Sequence, residues 1–183
     1  MSGSNIYMQL ITGTGPVMGE GLLEGWVGSI ELKEFSWGMH ALRDTQANGP
    51  GLSGMSVSAA RSMSGFGDPI TIKMEPLQFK KRFDVASSQI HFCVDNHLPV
   101  VSASISVLNI KQGQRAVHQA GFVLLATKGY FSDVTEELMS DGNSVELVET
   151  VNLNFQNIKL TYLQRMGKDN LPTAPFFHPA SLT

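Results

Sequence analysis

The sequence predicts a mainly β protein: a small twisted β-barrel of two curled sheets with one flanking α-helix. Apolar and polar residues alternate with a period of two along most of the chain, the alternation changes phase within two candidate strands, and one segment shows helical spacing. The chain has 183 residues, of which 42% are hydrophobic, which is enough for one packed core. We therefore predict a single barrel domain over residues 1–163, including an extended loop over 40–69, and a Pro-containing tail over 164–183.

The first phase change lies near Glu34. Before it the apolar residues share one face of a strand, and after it they continue on the alternate positions. One extra residue in a strand has this effect, so a β-bulge is expected there, and bulges raise the twist that curls a sheet toward a barrel. The apolar positions in the two phases are Ile30 and Leu32, then Phe35, Trp37 and Met39.

A second phase change predicts a long bent strand near the end of the chain. The apolar positions of Val145–Phe155 change phase at Gln156-Asn157 and continue to Tyr162. Other strands are expected from the same alternation. They are Ile6–Ile11, Ile70–Phe83 with an interruption at Pro76, Val101–Ile110, and Gly121–Phe131.

One helix is predicted after Asp84, whose carboxylate can accept hydrogen bonds from the free amides of the first turn. Pro99 disfavours the α conformation at Leu98, so the helix is expected to end there. About six strands and one helix favour a barrel or sandwich with the helix packed on its side. The residues spaced along one face of the helix are Ala86, Ile90, Cys93, Val94 and His97.

The segment 40–69 does not fit a compact core. It holds five glycines and five serines, and a loop of this length in a small domain is usually functional or disordered. Apolar residues are spaced through it, which favours a loop that docks on another surface, because linkers lack such residues. The candidate docking residues are Leu52, Met55, Val57, Met63 and Phe66.

Composition excludes several classes of function. The net charge of −3 lacks the basic excess that binding to nucleic acid requires. The longest apolar run, Phe122–Ala126, is far shorter than the ~20 residues that span a bilayer, so no membrane insertion is expected. The first residues show no secretion signal, which predicts synthesis in the cytoplasm. Charged residues make up only 16%, which favours burial of surface against copies of the same chain.

No pattern of residues indicates catalysis, a cofactor or a metal site. The glycines of Gly13–Gly19 have the wrong spacing for a phosphate-binding loop, and a turn is expected instead. Cys93 is the single cysteine, which excludes an internal disulfide, and its place on the apolar stripe of the helix favours core packing over nucleophilic reactivity. His97, four positions after Cys93, could pair with it as a base or as half a metal site, but core packing of Cys93 is favoured. The other histidines lie in different elements without ligand spacing: His40, His91, His118 and His178.

The charged residues also favour structural roles. Glu146 and Glu149 are three positions apart on a strand, so their side chains point to opposite faces. Glu136-Glu137 is expected in a solvated turn. Lys80–Arg82 forms a positive run that is either a solvated strand end or a contact to an anionic groove on a neighbouring subunit.

Two motifs carry a resemblance to a known family. Glu31–Met39, followed by the Gly/Ser-rich segment, and Glu149–Tyr162 resemble the haemolysin-coregulated protein (Hcp) family, the inner-tube subunits of type VI secretion systems. The order of strands and helix is similar as well, so the resemblance covers roughly Asn5–Gln164. It does not extend to the tail.

The resemblance implies a structural subunit rather than an enzyme. Six copies would close into a ring, and rings would stack into a tube inside a contractile sheath beneath a spike, with small effector proteins in the lumen. It implies export by the same machine without a signal peptide. Ser36 matches a lumen-facing position of the family; the alternative is an ordinary outward-facing serine. The 40–69 loop would reach an adjacent ring or subunit. The alternative function is a monomeric β-barrel binding module or hydrolase with Ser36 or Cys93 as nucleophile.

Overall fold

The structure is a computed structural model that describes residues 5–43, 70–110, 118–141 and 144–162. These ranges hold nine strands and one helix. The predicted docking residues Leu52, Met55, Val57, Met63 and Phe66 lie outside them, as does the tail over 164–183. The elements are β1 (Ile6–Thr12), β2 (Gly15–Val17), β3 (Ile30–Ser36), β4 (Met39–Arg43), β5 (Ile70–Met74), β6 (Leu77–Arg82), α1 (Val85–Asp95), β7 (Pro99–Ile110), β8 (His118–Asp141) and β9 (Ser144–Tyr162).

Six strands close into a barrel. The sheet runs in the order β2-β1-β3-β6-β9-β8-β7, and β1 also pairs with β7, which joins the two ends. Strand β1 pairs with three other strands. Its residues Ile6–Met8 pair with β3, Ile6–Thr12 pair with β7, and Leu10–Thr12 pair with the short β2. Every pairing is antiparallel. The predicted mainly β barrel with one flanking helix is confirmed.

The barrel interior is filled by inward-facing side chains from all six strands. Alternation along each strand sends successive side chains to opposite faces, so one set packs inside and the other faces outward. In β6, for example, Leu77, Phe79 and Lys81 are buried, whereas Gln78 and Lys80 are half-buried. The fully buried apolar residues include Met8, Ile30, Leu32, Ile105, Leu124, Val151 and Leu153.

Both predicted phase changes occur. The β3–β6 register moves from Leu32↔Lys81 to Glu34↔Lys80, which leaves Lys33 as the extra residue of a bulge. In β9 the buried positions change from Val151 and Leu153 to Ile158, from odd to even numbers. The sequence therefore predicted both phase changes correctly.

Strand β8 is longer than the sequence predicted. It continues ten residues past Phe131 and pairs with β9 as far as Asp141↔Ser144. Glu136 and Glu137 lie in this extension rather than in a turn, although both are exposed as expected. The register shifts between Phe131 and Asp133, so a bulge lies where the predicted strand ended.

Residues 38–75 form a separate compact unit. Its described part is the antiparallel hairpin of β4 and β5, whose register runs from Met39↔Met74 to Arg43↔Ile70. Met39 therefore belongs to β4 and not to the bent strand predicted after Glu34, which ends at Ser36. The first residues of the predicted 40–69 loop are likewise part of strand β4.

Helix α1 begins at the predicted cap. Asp84 accepts a hydrogen bond from the Ala86 N–H at 2.9 Å, and the backbone N–H of Asp84 donates to Ser87 Oγ at 2.9 Å, which together form a capping box. Ala86, Ile90 and Cys93 are buried as predicted, and Cys93 is a free thiol.

The helix ends earlier than predicted. His97 has a φ of 49°, its N–H bonds to the Val94 carbonyl, and the Leu98 N–H bonds to the Cys93 carbonyl, which is the Schellman pattern of helix termination. His97 is thus exposed beyond the helix and does not belong to the apolar stripe. Within the described ranges, no helix has the length and apolar character needed to cross a lipid bilayer.

Candidate functional site

Ser36 lies at one end of a polar row on the outer face of the barrel. The strand registers place Ser36 beside Gln78, Gln78 beside Asn152, and Asn152 beside Asp133. These four residues come from β3, β6, β9 and β8, and we call them the outer polar row. The row exists because each strand presents an outward-facing polar residue at the same level of the sheet.

Hydrogen bonds link most of the outer polar row. Gln78 Nε2 donates to Asn152 Oδ1 at 3.1 Å, and Asn152 Nδ2 donates to Asp133 Oδ2 at 3.4 Å. Thr135 Oγ1 donates to the same Asp133 oxygen at 3.1 Å. Ser36 itself is exposed. The arrangement gives the wall a continuous surface of neutral amide and hydroxyl groups ending in one carboxylate.

An ion pair lies next to this row. Lys80 Nζ is 2.7 Å from Glu34 Oε1, and this hydrogen bond raises the pKa of Lys80 above its ordinary value. Glu34, Ser36, Gln78 and Lys80 line a shallow groove together with Phe35 and Phe79.

The opposite face at Ser36 is aromatic. Phe35 is the register partner of the buried Phe79, and its ring stacks on Phe122 with centroids 6.3 Å apart. The sequence predicted Phe35 on an apolar position after the phase change, and its alternation with the exposed Ser36 follows that prediction. Trp37 is half-buried, and its buried indole Nε1 has no hydrogen-bond partner among the described residues.

Neither candidate nucleophile has the surroundings of one. Cys93 is 1% exposed on the packed face of α1. The groove beside Ser36 contains no histidine, and its described charged residues, Glu34 and Lys80, are paired with each other. A nucleophile needs a base within hydrogen-bond reach. Within the described residues, no such pair forms at Ser36 or Cys93.

A buried ionic cluster lies where β6 leads into α1. Lys81 Nζ donates to Asp84 Oδ1 at 2.7 Å, to Glu149 Oε2 at 2.7 Å and to Ser87 Oγ at 2.9 Å. Ser87 Oγ in turn donates to Glu149 Oε2 at 2.8 Å. We call these four residues the Lys81 cluster. The interpretation of Lys80–Arg82 as a solvated strand end or a contact to a neighbouring subunit was wrong for Lys81, because its inward-facing position on β6 places it in the core.

His91 joins this cluster to the β8–β9 hairpin. Its Nε2 lies 3.1 Å from Glu136 Oε1 and 3.2 Å from Glu149 Oε1. Glu136 and Glu149 are register partners, and His91 reaches them from α1. The sequence did not reveal this group, because the three residues come from three elements and no spacing along the chain relates them. We call it the His91 triad.

Glu146 forms a separate exposed ion-pair group. It accepts hydrogen bonds from Lys33 on β3 and Arg82 on β6, and the Lys33 hydrogen bond is the main cause that lowers the pKa of Glu146. Glu149, three positions further along, is fully buried. The prediction that these two carboxylates point to opposite faces is confirmed.

These observations define a class of protein: a closed six-stranded β-barrel with a flanking helix, a polar outer wall, and no nucleophile–base pair at Ser36 or Cys93 in the part of the chain that the structure describes. Solved structures that match this fold include Hcp and type VI secretion proteins. No protein-family model and no curated protein sequence matches the chain.

Three solved structures illustrate the likeness. A double mutant of Hcp1 from the E. coli EAEC 042 pathovar matches with a TM-score of 0.70 and 18% identity, covering 98% of this chain and 99% of that chain. A type six secretion system protein matches at 0.61 and 16% identity, covering 88% of this chain and 86% of that one. The secreted protein Hcp3 from Pseudomonas aeruginosa matches at 0.57 and 11% identity, covering 86% and 89%. The chain therefore has an Hcp-like fold, and the resemblance seen in the two sequence motifs is confirmed at this level.

Proposed function

We propose that this protein is a structural subunit of a type VI secretion tube, which forms homohexameric rings that stack and carry effector proteins in their lumen. The observation that carries the proposal is the near-complete overlap of its barrel and helix with the Hcp fold. A fold alone does not determine function, so the surface must also suit assembly.

The surface of the barrel unit favours self-association. Among the described residues, its four most exposed large apolar side chains lie at loop and hairpin positions: Leu22 is 87% exposed, Val27 73%, Val145 72% and Leu138 70%. Leu138 and Val145 lie on the extended β8–β9 hairpin, and Leu22 follows β2. A tube needs one contact that closes around the axis and another that repeats along it, and both are head-to-tail contacts between different patches of identical subunits. Apolar patches at separate places supply such contacts.

The outer polar row suits a lumen wall. A hydrogen-bonded surface with three neutral side chains and one carboxylate offers cargo exchangeable contacts without a strong field of one sign, so a protein can be held and still slide. Ser36 is the small exposed hydroxyl in this row, and we assign it to the lumen side.

The remaining partners follow from the same proposal. The subunit is made in the cytoplasm, is exported through its own machine, and contacts the contractile sheath and the spike. The 40–69 segment contacts an adjacent ring or subunit through Leu52, Met55, Val57, Met63 and Phe66.

The mass of the particle in solution tests the proposal. Light scattering coupled to gel filtration is expected to give six times the 19.9 kDa chain mass, and negative-stain images are expected to show rings with an open centre. A single species of chain mass at tens of micromolar, without rings, would overturn the proposal.

Deletion of residues 52–66 tests the docking role of the loop. The deletion is expected to preserve the barrel and weaken ring stacking, and tubes that persist in the deletion variant would refute that role.

A further inference from the structure

We propose that His91, Glu136 and Glu149 bind one divalent transition-metal ion, best matched by Zn²⁺, which fastens α1 to the β8–β9 hairpin. The proposal is independent of the assembly of the subunit, since all three ligands belong to one chain. It rests on the geometry of the three ligand atoms, on the charge balance around them and on their access to solvent.

Two of the separations between the ligand atoms are short enough for a small cation to replace the His91 hydrogen bonds. Nε2 of His91 lies 3.1 Å from one carboxylate oxygen and 3.2 Å from the other, and all three atoms lie within 4.8 Å of one another. Zinc binds nitrogen and oxygen at about 2.0–2.2 Å, so neighbouring ligands of a tetrahedral ion are about 3.4 Å apart. One imidazole and two carboxylates therefore provide three corners of a zinc site with little rearrangement. A mixed set of this kind favours first-row transition metals over Mg²⁺ or Ca²⁺, which take oxygen ligands alone.

With His91 neutral, as it is when it ligates a metal, the carboxylates around the triad outnumber the cations. Glu136 and Glu149 are directly opposite on adjacent strands, where like charges destabilise a sheet. Lys81 pairs with both Glu149 and Asp84, so the group formed by these three residues and Glu136 holds three carboxylates and one ammonium. The neighbouring cations are engaged elsewhere: Lys33 and Arg82 with Glu146, and Lys80 with Glu34. A divalent ion would balance the two remaining negative charges.

The Lys81 cluster prepares one ligand. Lys81 and Ser87 both hold Oε2 of Glu149, which leaves Oε1 facing His91. Hydrogen bonds of this kind to the second oxygen fix the orientation of a ligating carboxylate. Glu149 is fully buried, whereas the side chains of Glu136 and His91 are 42% and 39% exposed. The solvent-exposed side of the triad, at His91 and Glu136, provides an entry path for the ion and room for a water molecule as the fourth ligand.

Calorimetric titration of ZnCl₂ into the chelator-treated full-length chain tests the proposal, together with thermal unfolding with and without zinc. We expect one equivalent to bind and to raise the unfolding temperature. His91→Gln and Glu136→Gln are expected to weaken binding by about tenfold or more and to abolish the temperature shift. Both residues are partly exposed, so these variants should fold. Replacement of Zn²⁺ by Co²⁺ should give a visible absorption band that is absent from both variants.

Matched controls separate the triad from incidental zinc binding. Glu137→Gln removes the adjacent carboxylate, which lies on the other face of β8. His97→Asn removes an exposed histidine and keeps a residue that tolerates the positive φ of that position. His40→Gln removes a second described His–Glu pair. All three should bind zinc like the unmodified chain. The proposal is overturned if no saturable binding occurs, if His91→Gln binds normally, or if a control loses binding to the same extent.

Discussion

Lys81 Nζ lies 2.7 Å from Glu149 Oε2, and neither side chain has any exposed surface. Taking both charges out of water is costly, and the pair is tolerated because each group is held by several hydrogen bonds. Lys81 also donates to Asp84, to Ser87 and to the Arg82 carbonyl at 2.8 Å. A single ammonium group thus connects β6, the first turn of α1 and β9, which fixes the helix against the barrel.

Lys81→Met is expected to lower the free energy of unfolding by about 3–5 kcal/mol, the usual loss when one member of a buried ion pair is removed. The substitution leaves the Glu149 and Asp84 carboxylates buried without their cation. Urea unfolding followed by circular dichroism measures the change. Lys80→Met is the matched control, because the Lys80–Glu34 pair is partly exposed and contributes little. Similar losses in both variants would contradict the role assigned to Lys81.

Asp84 has two roles that substitutions can separate. Asp84→Asn keeps a side-chain oxygen for the Ala86 N–H but removes the charge that faces Lys81, whereas Asp84→Ala removes both. The alanine variant is expected to be less stable than the asparagine variant by about 1 kcal/mol, the typical contribution of a helix cap. Urea unfolding of the two variants gives this difference directly. Equal stabilities would show that the cap contributes nothing beyond the charge.

The sequence predicted the features that depend on neighbours along the chain. The Asp84 cap is local, and so is the phase slip that leaves Lys33 as the extra residue of the β3 bulge. The prediction of the buried face of α1 was mostly correct for the same reason. His97 was misplaced because the left-handed residue that ends a helix is usually glycine, and here a histidine occupies that position.

The features that the sequence missed depend on pairing between distant segments. Lys81 stands between two cationic residues, so the run looked solvated, and only its partner Glu149, 68 positions away, explains its burial. Glu136 looked like a turn residue because polar residues surround it, yet pairing with β9 keeps it in a strand. The outer polar row and the His91 triad arise in the same way, from strand registers that no local pattern contains.

Glu146 makes the unfolding free energy depend on pH in the acid range. Hydrogen bonding by Lys33 lowers the pKa of the folded carboxyl below its ordinary value of 4.5. Because the folded-state pKa is lowered, folding favours the ionised form of Glu146. Its contribution to the free energy of unfolding is therefore present above about pH 4.5 and disappears as the pH falls through the lowered pKa. Glu146→Gln should therefore be less stable than the unmodified chain near pH 7, and the difference should vanish at low pH.

Urea unfolding between pH 7 and pH 3 tests the Glu146 prediction, and added salt should reduce the difference because the ion pairs are partly exposed. The matched control is Glu137→Gln, which removes a carboxylate from the neighbouring strand β8. A difference between Glu146→Gln and the unmodified chain that persists unchanged at pH 3 would contradict the assignment.

Ser36 offers the sharpest test of the outer polar row as a lumen wall. Ser36→Lys places a long charged side chain beside Gln78 and on the exposed face of β3, where it does not enter the barrel core. The substitution should leave folding and ring mass unchanged, because it replaces an exposed residue, and should reduce the amount of a co-expressed effector protein that purifies with the rings. Ser88→Lys, at an exposed position on α1, is the matched control and should retain the effector.

Two outcomes would contradict the assignment of Ser36 to the lumen. If Ser36→Lys rings retain as much effector as Ser88→Lys rings, Ser36 is an ordinary surface serine. If Ser36→Lys prevents ring formation while Ser88→Lys does not, the row lies in a subunit contact rather than in the lumen.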